Sequence, residues 1–291
     1  MEGKTIFLRT VRADLKVGFG LSFLFSVFGI VLCFCFDNWQ DLQNFFINPL
    51  INKDKTSVCV MYYFFNSFSF GGVFTEYFSA IMSAIPFATN YCQENAGGME
   101  IYKYTRCGKV IYARSKFLVT SILGGLTASL GGLIFILLLA SYIPIITPEQ
   151  YLEISWLPFS KALTVGNGAL YFVIVLYISF LGGALWGSIG LCASAYFTNI
   201  YVTICAPFIF RFLLVQLGRM LMLPSKLRLD LLLAAREIII SDVLTFILTT
   251  VFVLLLIIVC YNLFLKQLER RMWDVDKNSK CVFISDEAGS K

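Results

Sequence analysis

Six long apolar stretches dominate the sequence. They cover residues 17–36, 72–91, 117–143, 169–193, 200–217 and 243–265. The first contains 20 residues without a charge, and a helix of that length spans about 30 Å, the thickness of the hydrocarbon core of a bilayer. Charged residues make up only 14% of the chain, against about 25% in soluble domains. The sequence therefore predicts an all-α, polytopic membrane protein with six transmembrane helices.

The distribution of basic residues predicts the orientation of these helices. Segments 1–16, 92–116 and 266–291 carry 4, 5 and 6 Lys or Arg residues, whereas segments 37–71 and 144–168 carry 2 and 1. Cytoplasmic loops are enriched in Lys and Arg, so both termini are expected in the cytoplasm. Segment 219–242 opposes this rule, because it is basic and falls on the outer side. Residues 226–240 form either a plain loop or an amphipathic or re-entrant piece.

The residue types present exclude several kinds of chemistry. The chain contains no histidine, which rules out Ser-His-Asp and Cys-His triads and histidine-liganded metals. Most of its nine cysteines lie in or beside apolar stretches, where a free cysteine behaves as a small hydrophobic residue. None forms a CxxC pair. We therefore predict no catalytic residue, no bound cofactor and no metal site.

Two of the predicted spans carry stripes of small residues. Gly124, Ala128 and Gly132 recur every fourth residue in the third span, and Gly183 and Gly187 do so in the fourth. Such stripes allow the backbones of neighbouring helices to approach closely. They predict packing seams within the chain, with a substrate path or a dimer seam as the alternatives.

Two ionisable residues fall inside the predicted spans. Glu76 is expected about 6 Å, and Arg211 about 9 Å, from the outer end of its helix. An unpaired charge in lipid costs several kcal/mol, so we predict that the two side chains meet or share a polar cavity. The alternative is that each reaches the headgroup region separately.

The segment between the second and third spans contains two helix breaks. Gly97 and Gly98 interrupt the helix that leaves the membrane, and Gly108 supplies a second break. Residues 99–106 between them are predicted to form a short helix of about two turns. A short helix held between two breaks is suited to docking into a groove on another protein.

This order of features resembles the coupling region of type-2 ABC permeases, the membrane subunits of bacterial ATP-driven exporters. An acidic residue, Gly-Gly, a short helix, Arg, Gly, a basic residue, Tyr and a membrane-edge Lys follow one another here. The resemblance implies that residues 1–265 form one permease domain with an amphipathic connecting helix at 4–16 and a coupling region at 92–116, followed by a cytoplasmic tail at 266–291. It also implies that the ATPase-docking surface is shaped or contacted by Glu94, Gly98, Ile101, Tyr104, Arg106, Tyr112 and Lys116.

The resemblance also implies the partners. A P-loop needs a glycine five residues before its Gly-Lys pair, but Lys103 stands at that distance from Gly108. ATP and Mg are therefore expected on a separate ABC ATPase subunit, and this chain is expected not to be an enzyme. A second permease, identical or similar, completes the pair in a bacterial plasma membrane. No nucleic acid is expected among the partners.

The expected function is transport. A permease of this kind exports or extracts an amphipathic substrate by alternating access that separate ATPase subunits drive. Removal of an antimicrobial peptide from the membrane is one variant of this function. The main alternative is a self-contained membrane channel, or an integral membrane enzyme, that is not coupled to ATP.

Overall fold

The computed structural model describes residues 2–47, 59–69, 72–147, 158–164 and 168–289; side chains are described for all of these except 2–4, 45–47, 104, 164 and 272–289. Every regular element in these ranges is helical. The α-helices are α1 Glu2–Gly18, α2 Leu21–Asp37, α3 Trp39–Ile47, α4 Val60–Phe68, α5 Ser79–Ala96, α6 Met99–Cys107, α7 Lys109–Ala140, α8 Ala169–Tyr196, α9 Ile200–Met220, α10 Leu229–Leu233 and α11 Asp242–Gly289. A π-helical turn, Phe74–Phe78, leads into α5, and 3-10 turns lie at Ser160–Thr164 and Ser225–Leu227.

Four helices within the described ranges are long and apolar enough to cross a bilayer. They are α7, α8, α9 and the part Asp242–Arg271 of α11, and α1 with α2 adds a fifth if the bent pair is one span. The predicted number of six is therefore not confirmed. The predicted first span crosses the junction of α1 and α2, where the helix axes bend by 57°. The second begins in the π-helical turn and continues into α5, where Ser83, Thr89 and Asn90 dilute its apolar character.

Helices α7 and α8 form the centre of the fold. In each, 56% of the most apolar window is buried, against 17% in α9 and α11. The two stripes of small residues lie against each other: a Cβ added at Gly124 would stand 2.6 Å from the carbonyl oxygen of Gly183, and one at Gly183 would overlap the carbonyl oxygen of Gly124. Gly187 faces the Thr120 carbonyl in the same way. Only residues without a Cβ allow this backbone contact.

Helix α1 packs on the central helices at its carboxyl end. Its Val11 and Leu15 join a buried cluster that includes Phe87 of α5 and Leu123 of α7. Gly18 fits directly against Leu123, because a Cβ there would overlap the Leu123 side chain. The amphipathic helix predicted over 4–16 is thus part of a longer helix, whose basic Arg9, Arg12 and Lys16 are exposed.

Hydrogen bonds fix the π-helical turn at the amino end of α5. Asp37, the last residue of α2, accepts hydrogen bonds from the backbone N–H groups of Phe74 at 2.9 Å and Thr75 at 2.7 Å. This carboxylate satisfies N–H groups that a helix start leaves free. The π-helical turn, and Glu76 within it, are thereby fixed to the end of α2.

The predicted tail, 266–291, begins inside α11. Leu268 is buried beside Tyr91 and Tyr112, and Glu269 forms an ion pair with Lys109 at 3.1 Å. The start of the tail therefore packs against α5 and α7. Residues 290–291 lie outside the described ranges.

Candidate functional site

Helix α6 is bounded by two glycines in the left-handed region. The backbone φ angle is 65° at Gly98 and 82° at Gly108, a conformation that glycine adopts without steric cost. The short helix predicted over 99–106 is observed between them as Met99–Cys107. Gly97 closes the preceding helix, since its N–H donates to the carbonyl of Gln93 at 2.9 Å.

Most of α6 is exposed, apart from the side that carries Glu100. Met99, Ile101, Tyr102 and Arg106 form what we call the α6 surface, and all four are exposed. It combines large apolar side chains with one guanidinium group, the composition that protein interfaces favour. Tyr104, also predicted to contact a partner, has a side chain outside the described residues.

A buried cation lies at the base of α6. Lys116, on α7, is only 1% exposed. Its ammonium group donates to Glu94 Oε1 at 2.8 Å and to Asp14 Oδ1 at 3.0 Å. It also lies over the rings of Phe87, 4.7 Å from the centroid, and Tyr112, 5.5 Å from the centroid. A lysine ammonium has three donors and is stable in a dry site only when paired.

The two carboxylates bring further groups to this lysine. Glu94 accepts from Lys103 Nζ at 2.7 Å and from Tyr112 Oη at 2.9 Å. Asp14 accepts from Ser115 Oγ at 2.7 Å. We call this group the lysine cluster; it comprises Asp14, Glu94, Lys103, Tyr112, Ser115 and Lys116. It joins α1, α5, α6 and α7 through side-chain hydrogen bonds.

The electrostatics of the lysine cluster keep Glu94 ionised. Burial by itself raises the pKa of Glu94, but the neighbouring Lys116 and Lys103 outweigh it, so the pKa is lowered below its ordinary value. Glu94 lies in the last turn of α5, where the helix dipole disfavours an anion. The two lysines compensate for this unfavourable position.

A second hydrogen bond ties α6 to α5. Tyr91 Oη donates to Glu100 Oε2 at 3.0 Å, and both side chains are buried. The ring of Tyr91 in turn packs edge-on against Phe264 of α11, with centroids 5.2 Å apart. Helix α6 is therefore linked to α11 as well, through Tyr91.

The residues predicted to form one docking surface divide into three groups. Ile101 and Arg106 lie on the α6 surface, and Gly98 forms the turn before it. Glu94, Tyr112 and Lys116 instead belong to the buried lysine cluster and leave little surface for a partner. Sequence reasoning missed the other members of the cluster and Glu100. The sequence signal that could have identified Asp14 is its position as an acidic residue between the basic Arg12 and Lys16.

A second polar site lies at the opposite end of α5. A cavity of about 40 Å³ lies between α5, α8 and α9, and we call it the arginine cavity. Its polar lining includes Thr75, Glu76, Ser79, Ser83, Trp186 and Arg211. Glu76 and Arg211 were predicted to meet or to share a polar cavity. They line one cavity, but no ion pair joins them among the residues with described side chains.

Arg211 has few partners in this cavity. Its Nη1 donates to Ser79 Oγ at 3.2 Å, and its guanidinium lies 5.3 Å from the ring centroid of Trp186. Its Nε is buried without a hydrogen-bond partner. The second candidate site therefore contains a cation whose donors are not all used.

In the described part of the chain, no three His, Cys, Asp or Glu side chains are grouped so that they could hold a metal ion. Comparisons with protein families, curated proteins and solved structures found no match for the chain.

Proposed function

We propose that this chain is the membrane subunit of an ATP-driven transporter and that the α6 surface docks into the ATPase. The observation that carries the proposal is the combination of an exposed docking helix with a buried lysine cluster directly behind it. A surface loop that only connects two membrane helices needs no such cluster. A helix that receives force from a partner needs rigid side-chain contacts behind it, because the force has to reach the transmembrane helices.

The contacts provide a continuous path for that force. Lys103 and Glu100 tie α6 to α5 through Glu94 and Tyr91. Lys116 then ties α5 to α7 and, through Asp14, to α1. Helix α7 has 32 residues and is about 48 Å long, so it exceeds a hydrocarbon core of about 30 Å. Its first turns extend beyond the bilayer and carry the lysine cluster.

In this proposal the ATPase binds ATP and Mg on the cytoplasmic side of a bacterial plasma membrane. ATP binding and hydrolysis shift two permease subunits between inward-open and outward-open states. The amphipathic cargo is moved or extracted between them. Helices α9 and α11, which bury little of their apolar surface within the chain, face lipid or the second permease.

The test is association with an ATPase. The tagged chain is purified from its native host in mild detergent, with and without the double substitution Ile101→Ala and Arg106→Ala. We expect a subunit with a P-loop and measurable ATP hydrolysis to accompany the wild-type chain, and its yield to fall at least tenfold with the double variant.

The matched control is Tyr142→Ala, an exposed position beyond the distant end of α7, which should retain the ATPase. Equal ATPase yield from all three chains, or no ATPase with the wild type, would contradict the docking proposal. A purified chain that conducts ions or solutes alone in vesicles would favour the self-contained channel instead.

A further inference from the structure

The arginine cavity contains two hydrogen-bonding groups that the described chain leaves unused. Arg211 Nε and Thr75 Oγ1 are both buried with no hydrogen-bond partner, and Thr75 as a whole is only 7% exposed. Both residues line the cavity. A buried donor without an acceptor costs about 1–3 kcal/mol, and more when the group is charged. An occupant of the cavity that accepts hydrogen bonds would therefore be stabilised there.

The lack of a direct ion pair at Arg211 favours an anionic occupant. Glu76 and Asp230 both interact electrostatically with three guanidinium groups, those of Arg211, Arg228 and Arg236. Asp230 forms its ion pair with Arg228, whereas Arg211 has no ion pair among the residues with described side chains. The carboxylates thus act on Arg211 only from a distance. Its guanidinium lies in a site of low polarity, where attraction to an anion in direct contact is strong.

The size of the cavity limits the occupant. A volume of about 40 Å³ corresponds to about three water molecules, at 10–15 Å³ each. A peptide or a lipid headgroup does not fit. A monatomic ion does, with a water molecule beside it.

We propose that the arginine cavity binds a small monovalent anion of the size of chloride. The Arg211 guanidinium and the Thr75 hydroxyl donate hydrogen bonds to the ion. The carboxylate of Glu76, which also lines the cavity, repels it. This site is independent of the proposed ATPase docking, since it lies at the other end of α5 and uses none of the same residues.

The first experiment measures thermal unfolding of the full chain in detergent, in sodium chloride and in sodium gluconate of equal ionic strength. We expect chloride to raise the melting temperature by about 2–4 °C with a saturating concentration dependence. The rise should disappear in Arg211→Met and shrink in Thr75→Val, which keeps both the charge and the side-chain shape.

The acidic residue gives a prediction of opposite sign. Glu76→Gln removes the group that opposes the anion, so the chloride concentration for half-maximal stabilisation should fall several-fold. Two controls are matched: Arg219→Met removes an exposed guanidinium from the same helix as Arg211, and Thr89→Val removes a hydroxyl that already donates to Ile85. Both should retain the wild-type chloride response.

The second experiment locates the ion directly. Crystals grown in bromide should show an anomalous peak within about 3.5 Å of Arg211 and Thr75, at hydrogen-bond distance. Identical melting curves in chloride and gluconate would overturn the proposal. So would a cavity that contains water alone at saturating bromide, or a chloride response that survives Arg211→Met.

Discussion

Buried cations from neighbouring helices lie beside the two ends of α5, in opposite circumstances. Lys116, at the carboxyl end, is held by two carboxylates and two aromatic rings. Arg211, at the amino end, donates one hydrogen bond to the neutral Ser79 and lies over the ring of Trp186, and among the described residues its buried Nε has no hydrogen-bond partner. A buried cation with partners on all sides fixes the elements that supply them. One with unused donors is ready to take up another group.

This difference indicates different tasks for the two ends. The lysine cluster joins four helices, and its hydrogen bonds are satisfied only while these helices keep their present positions. We therefore expect the four helix ends to move together. The arginine cavity has room for an occupant, and no ion pair between the surrounding helices is found among the residues with described side chains. We therefore propose that force is transmitted at the first end and that a ligand is bound at the second.

The comparison predicts its largest effect at Lys116. Lys116→Met leaves the carboxylates of Asp14 and Glu94 buried without their main cation, and breaking a buried pair in this way costs about 3–5 kcal/mol. Thermal unfolding in detergent measures the loss. The control is Lys109→Met, which removes the half-exposed pair with Glu269 and should cost about 0–1 kcal/mol. Similar losses for the two variants would show that the lysine cluster is not tightly held.

The seam between α7 and α8 gives the next effect. Gly183→Ala places a methyl group against the backbone of Gly124, and overpacking of this kind costs about 1–3 kcal/mol. Gly182→Ala is the neighbouring control, because its Cβ would meet only Leu233 and Trp186 at 3.8 Å. A melting temperature lowered equally by both substitutions would argue against backbone contact at this seam.

A smaller effect on stability is expected when the pH is lowered. The pKa of Glu94 is lowered in the folded chain, so its stabilising contribution is complete above the ordinary glutamate pKa of about 4.3. The contribution is lost as the pH falls through the lowered, folded-state value. Melting temperatures between pH 6 and pH 3 should therefore decline less steeply in Glu94→Gln than in the wild type, and parallel curves would contradict this assignment.

The smallest effect is predicted at Arg211 in chloride-free buffer. Arg211→Met removes a buried charge that lacks an ion pair and keeps an apolar side chain of similar length. Burying a charge without an ion pair is itself unfavourable, so the loss of this charge should change the free energy of unfolding by less than about 1 kcal/mol. A loss of stability as large as that of Lys116→Met would show that the cations at the two ends of α5 contribute equally, which would contradict the difference described above.

Local features of the sequence were sufficient to predict the elements around α6. Two glycine breaks define its ends because the backbone has positive φ angles there, which glycine adopts without steric cost. The stripes of small residues in α7 and α8 likewise indicated a close contact. In both cases the signal lies within a few residues of the structure that it predicts.

The contacts that assemble the sites depend on distant residues and were harder to predict. Asp14 and Lys116 are 102 positions apart, and no periodicity relates them. The depth of Glu76 and Arg211 in their helices correctly predicted that they lie at the same level. It did not predict their side-chain directions, which form no direct ion pair between them. The bend between α1 and α2 was also missed, because hydropathy does not distinguish a straight apolar helix from a broken one.

Photocrosslinking at α6 tests the central claim most directly. A photoreactive amino acid is placed at Tyr102, 79% exposed on the α6 surface, or at Tyr142, 69% exposed beyond the far end of α7. After irradiation of intact cells, crosslinked partners are identified by mass spectrometry. The account predicts an adduct with a P-loop ATPase from position 102 and none from position 142. No ATPase adduct at position 102, or equal adducts at both positions, would contradict it.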